Sequence, residues 1–101
     1  MAYICKVEAQ NDWQKLEDLI KALTGFSTFA FDSDTTYQIQ AEGMPLHLCE
    51  KDSTPTDKMD GFVIAETQVA NYKPNVSYDL YVRSDVNNVN HCAIKIGTLG
   101  E

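Results

Sequence analysis

The sequence predicts a mainly β fold: a small antiparallel β-sandwich or barrel of about six strands with one N-terminal amphipathic helix. Three observations predict it. Short runs of alternating apolar and polar residues recur along the chain, separated by turn residues. One segment, residues 11–24, carries apolar residues at helical spacing. No strand–helix–strand alternation of the kind that builds a parallel sheet is visible. The 101 residues fit one domain spanning residues 1–101. A chain of this length can bury a core without metal or disulfide staples.

Residues 3–7 read as a short strand with Tyr3, Cys5 and Val7 on one face. In residues 11–24, Trp13, Leu16, Leu19, Ile20 and Leu23 form an apolar stripe at helical spacing. Asn11 followed by Gln14 resembles a capping box, and Gly25 stands where a helix stop is expected. Glu17 and Lys21 are placed as a helix-surface ion pair. The stripe, Trp13 included, predicts a helix packed on a sheet. Phe26, Phe29 and Phe31 precede a turn cluster at Asp32, Ser33 and Asp34. Residues 35–41 alternate with Tyr37, Ile39 and Ala41 on one face, which predicts a half-buried strand.

Gly43 punctuates an expected hairpin, with Met44, Leu46 and Leu48 alternating on the return strand and His47 at the surface. Pro45 suits a strand start or an edge. Residues 50–61 are polar and predict an exposed, adaptable loop. Residues 62–65 are continuously apolar and predict a buried strand. Residues 71–77 read as a turn region, and 78–83 as a strand with Tyr78, Leu80 and Val82 on one face. Asn87, Asn88 and Asn90 are turn chemistry. Cys92, Ile94 and Ile96 predict the last strand, and residues 97–101 a loose tail.

Charge and motifs narrow the function classes. The formal charge is -7, from 15 acidic against 8 basic residues, and the basic ones are scattered. Phosphate neutralisation needs clustered Lys and Arg, so neither nucleic acid nor an anionic membrane is an expected partner. No apolar run is long enough for a membrane helix, and no secretory signal is visible. Three cysteines, an odd number, argue against a secreted disulfide framework and for reduced, buried thiols.

No metal, cofactor or catalytic site is expected. His47, Cys49, His91 and Cys92 have the donor types for tetrahedral zinc. Adjacent residues point to opposite faces of a strand, however, so His91 and Cys92 would not both ligate one ion from regular structure. Asp32 and Asp34 could open a calcium loop, but position 12 would be Gly43. The five serines lie in turn-like contexts outside any nucleophile elbow, and the glycines are too dispersed to cradle phosphate.

One stretch carries a resemblance. It runs from Thr35-Thr36-Tyr37-Gln38-Ile39-Gln40 through Pro45-Leu46-His47-Leu48-Cys49-Glu50, Pro55 and Gly61-Phe62-Val63-Ile64 to Leu80-Tyr81-Val82-Arg83-Ser84. This succession of strands resembles small structural proteins of tailed-bacteriophage virions, of the head-decoration or fibre-domain kind. It covers about half of the chain, residues 35–84. The resemblance implies a compact β-sandwich, often trimeric, with no catalytic residues. Its partners would be capsid or other virion proteins, and its location the virion after synthesis in the host cytoplasm. The N-terminal helix with Trp13 and the polar loop at 50–61 depart from that pattern.

The candidate interface residues are Trp13, Tyr81 and Arg83, because aromatic and Arg side chains concentrate at interface hot spots. Tyr81 and Arg83 share the face opposite Leu80 and Val82. That face is either a docking surface or one where Tyr81 meets a second sheet and Arg83 pairs with a carboxylate. Two other functions fit the same composition. One is a glycan- or host-surface-binding module with Tyr72, Tyr81 or Trp13 as stacking platforms. The other is an acidic inhibitor of a host nucleic-acid enzyme.

Overall fold

The computed structural model describes residues 2–85 and 92–99. Its elements in chain order are β1 (Ala2–Ala9), β2 (Gln14–Lys15), α1 (Leu16–Lys21), β3 (Tyr37–Glu42), β4 (Leu46–Lys51), β5 (Phe62–Ile64), β6 (Val69–Tyr72), β7 (Asp79–Ser84) and β8 (Cys92–Thr98). The fold is mainly β, as the alternation predicts. The strands form two four-stranded antiparallel sheets, ordered β1-β8-β3-β6 and β2-β7-β4-β5. One buried cluster draws Val7, Ile39, Ile94 and Ile96 from the first sheet, Leu46, Leu48, Leu80 and Val82 from the second, and Leu16 and Ile20 from α1.

The helix is shorter than the stripe suggests. It covers six residues, not 11–24. The backbone ahead of it is committed to β7. Gln14 and Lys15 pair with Val82 and Tyr81, Ser84 N–H donates to Gln10 O at 2.7 Å, and the Asn11 side-chain amide donates to Ser84 O at 3.1 Å. Lys15 is therefore the N-cap, extended at ψ 127° with no side-chain cap bond, and the Asn11–Gln14 capping box does not form. The expected Glu17–Lys21 pair is present at 3.7 Å.

β1 extends past the expected 3–7 in both directions. Its register shifts between Tyr3 and Cys5, so Tyr3 is exposed while Cys5, Val7 and Ala9 face the core and Ile4 packs against it. An extra residue in one strand reverses the alternation beyond it. β3 keeps its predicted face, with Tyr37, Ile39 and Ala41 buried. The hairpin at Gly43 is not formed. β3 and β4 lie in different sheets, and Gly43, at φ +94°, turns the chain from one to the other. Residues 71–72, read as turn, complete β6. Gly97 and Thr98, read as tail, pair with β1 and β3. The turn at 87–90 and His91 lie outside the described residues.

From α1 to β3 the chain runs without a strand over residues 22–36. Its aromatic rings hold it down. Phe26, Phe29 and Phe31 meet edge to face at centroid distances of 6.4 and 5.1 Å, and Phe31 stands 4.9 Å from Tyr37 and 5.3 Å from Tyr72. Two side chains secure the backbone: Phe31 N–H donates to Glu17 Oε2 and Asp32 N–H to the Tyr37 hydroxyl, both at 2.9 Å. The turn predicted at Asp32–Ser33–Asp34 closes on itself, with Asp34 N–H on Asp32 Oδ1 at 2.9 Å.

Candidate functional site

Antiparallel register places His47 of β4 directly opposite Arg83 of β7, and cross-strand partners share a face. Their neighbours Leu46, Leu48 and Val82 take the other face, into the core. The face bearing His47, Tyr81 and Arg83 is nevertheless covered: His47 is 4% exposed, and Tyr81 and Arg83 are each 3%. The cover is the 52–61 loop together with the segment before β2. Arg83 Nε donates to Lys58 O at 2.9 Å, its Nη2 reaches the same oxygen, and its Nη1 donates to Ser84 O at 3.0 Å. The guanidinium lies 5.5 Å from the Trp13 ring centroid, and Trp13 Nε1 donates to Asp57 O at 3.0 Å. Lys58 reaches back to Asn11 and stands 3.7 Å from Asp12.

This arrangement is a clamp. A planar cation with five donors is suited to hold two strands and a loop carbonyl at once. His47 completes it. Arg83 Nη2 points at His47 Nδ1 across 3.3 Å, which makes Nδ1 the acceptor and leaves the ring proton on Nε2, donated to Asp85 Oδ1 at 2.7 Å. Burial pulls the Arg83 pKa down, and the carboxylates of Asp85 and Asp57 oppose that shift.

Of the sequence-predicted interface residues, Trp13 and Arg83 are brought into contact, and Tyr81 lies on the same β7 face as Arg83. Trp13 is outside the helix, half-buried, with its ring under Arg83. Tyr81 and Arg83 are buried within the chain, so the β7 face is not an open docking surface. His47, expected at the surface, is a buried member of the clamp. The 50–61 loop is partly fixed: Lys51 ends β4 and Pro55 is buried, while most of its other side chains remain exposed.

The open surface lies at the β5 and β6 edges. Residues 62–65 predict a buried strand, yet only Ile64 is buried; Phe62 is 80% and Val63 54% exposed. Phe62 is the informative residue. It pairs with Leu48, a core residue, so it stands on the core-facing side of its sheet, and it is still uncovered. Across the gap, β6 offers Ala70 on the corresponding inner side, opposite Ile39. The small alanine leaves an apolar cleft of about 300 Å³ between the two edges, with Ile39, Leu48, Leu80, Ala70, Tyr72 and Phe62 in its lining. Met59, beside it in sequence, is also exposed.

Gly61 fixes the geometry at the mouth. Its φ is +82°, and a Cβ there would lie 2.1 Å from Leu48 O. Only glycine lets the loop come this close to β4. Glu50 lines the cleft and is exposed, and Asp60 precedes Gly61. Burial raises the Cys49 thiol pKa, with Asp60 adding to the shift. The Tyr72 hydroxyl is also pushed up, first by burial and then by Glu50, Asp79 and Glu17.

No signal available to alternation or motif reading distinguishes an uncovered core-side residue from a covered one, so the cleft was not legible in the sequence. Among the described residues no cluster of three or more His, Cys, Asp and Glu side chains is placed to hold a metal ion. Cys5, Cys49 and Cys92 are buried free thiols. No helix is long and apolar enough to cross a membrane among the described residues. The chain matches no protein-family model, no curated protein and no solved structure.

Proposed function

We propose that this chain is a non-enzymatic structural protein that works by docking, as a decoration or accessory component of a tailed-phage virion. The observation that carries the docking part is Phe62, a core-side aromatic left 80% exposed beside an apolar cleft. Burying such a group against a partner gains roughly 2–3 kcal/mol from the side chain alone. The virion part rests on the resemblance carried by residues 35–84. The two sheets, sharing one buried cluster, are read as the facing layers of a β-sandwich, the architecture that resemblance implies.

The docking surface moves accordingly, from the β7 face to the β5–β6 edge. Two of the three stacking platforms of a glycan-binding reading are covered. Tyr81 is buried and Trp13 carries the Arg83 guanidinium, which leaves only Tyr72, part of the cleft lining.

The test is particle composition. Phage particles made in cells that express the chain are banded in a density gradient and analysed by quantitative mass spectrometry. Stoichiometric presence of the chain in the particle band is the expected result. Its confinement to the soluble fraction would overturn the virion reading.

A further inference from the structure

We propose that the β5–β6 cleft receives an extended, positively charged segment of a partner protein, anchored by one apolar side chain. This inference rests on the docking reading above and names the chemistry of its partner. Three observations converge on it.

The first is size and character. A cleft of about 300 Å³ floored by Ile39, Leu48 and Leu80 accommodates one large apolar side chain. The second is backbone. β5 and β6 are each the last strand of their sheet, three and four residues long, and no described strand pairs with their outer edges. Unpaired edges present main-chain donors and acceptors to an added strand, and their shortness suits a short segment.

The third is charge, and it selects among occupants. Glu50 stands in the cleft lining and Asp60 directly precedes the lining residue Gly61, and among the described residues neither forms an ion pair with a basic side chain. The chain as a whole carries -7. A second copy would bring acid against acid. A basic segment satisfies the rim and the floor together.

The experiment uses the whole chain and labelled ten-residue probe peptides. One alternates lysine with leucine and phenylalanine, one replaces lysine by glutamate, and one replaces the apolar residues by serine. Binding is followed by fluorescence anisotropy and mapped by amide chemical shifts. The lysine–apolar peptide should bind saturably, weaken as salt is raised, and shift the amides of residues 61–62 and 70–72. The other two should bind at least tenfold more weakly. Phe62→Ser, which alters an exposed residue and leaves the fold intact, should weaken binding about tenfold. Glu50→Gln should weaken it several-fold. Glu8→Gln, on β1 at the opposite edge of its sheet, should leave it unchanged.

Equal binding of the lysine and glutamate peptides, or equal loss with Glu8→Gln and Glu50→Gln, would overturn the proposal. So would concentration-dependent dimerisation of the free chain that Phe62→Ser abolishes, since a second copy would then be the occupant. Failure here with the chain still present in particles would discard the basic-segment chemistry alone. Peptide binding by a chain absent from particles would discard the virion reading instead.

Discussion

Arg83 shows how much one side chain can organise. Its guanidinium joins the Lys58 carbonyl, the Ser84 carbonyl and His47 Nδ1 over the Trp13 ring. Truncation takes this donor from the Lys58 carbonyl and His47 Nδ1, while Ser84 O keeps the Asn11 amide, so Arg83→Ala should destabilise the chain by about 2–4 kcal/mol in urea unfolding. Arg83→Lys should recover little of that loss, because an ammonium cannot reproduce the planar fork. Gly61→Ala combines a positive φ with a Cβ driven into Leu48 O, and should cost about 2 kcal/mol or more. Phe62→Ser, close in sequence but exposed, should change stability by no more than about 0.5 kcal/mol. Urea unfolding of the four variants checks these values together, and equal losses at 61 and 62 would contradict the description of the mouth.

At the scale of elements, the 52–61 loop behaves as a strap over β4 and β7. Trp13 and Arg83 secure it at consecutive carbonyls, those of Asp57 and Lys58. Trp13→Ala should therefore release the loop before it unfolds the sheets. Limited proteolysis should cut Trp13→Ala at Lys51 or Lys58 many times faster than the parent chain, with a thermal midpoint lowered by only a few degrees. Unchanged proteolysis would show that the loop is held otherwise. The loop also shows where sequence reading reaches and where it stops. Its polarity and its exposed side chains were legible, and so were the inner face of β3 and the mainly β class, because each follows from local alternation or composition. The helix at 11–24 was overread. Its stripe of Leu16, Leu19, Ile20 and Leu23 is real, but the ladder between residues 14–15 and β7 takes the backbone that the first turns would use. The Gly43 hairpin failed for a related reason: a glycine turn looks the same whether the next strand returns beside the last or crosses to another sheet. The clamp was half legible. Trp13 and Arg83 were singled out as residue types, while the loop that buries them against each other is a long-range fact.

For the whole molecule, the ionisable groups predict which side of neutrality is fragile. Burial raises the pKa values of Cys5, Cys92 and Cys49 and of the Tyr72 hydroxyl. In each case the native state holds the protonated, neutral form. Their contribution is complete below the unfolded values, about 8.5 for Cys and about 10 for Tyr, and is lost as pH rises through the higher folded values. Lys15, raised by its hydrogen bond to Asp79, and Lys95, raised by Glu42, act in the same direction above about pH 10.4. Glu42 is lowered, chiefly by Lys95, so its contribution is present above about pH 4.3 and fades as pH falls through the lowered value. Thermal melts by circular dichroism should hold a plateau between about pH 5 and 8 and decline above about 8.5. A midpoint that rose with alkalinity would contradict the buried-thiol and buried-phenol assignments.

The central claim is that the open β5–β6 edge, rather than the filled β7 face, is how this chain attaches to a larger assembly. The most direct measurement is incorporation: particles formed with the parent chain and with Phe62→Ser are purified by density gradient, and the chain in each is quantified by mass spectrometry. The account predicts stoichiometric incorporation of the parent chain and near-complete loss of Phe62→Ser at an unchanged thermal midpoint. Equal incorporation of the two, or absence of both, would contradict it.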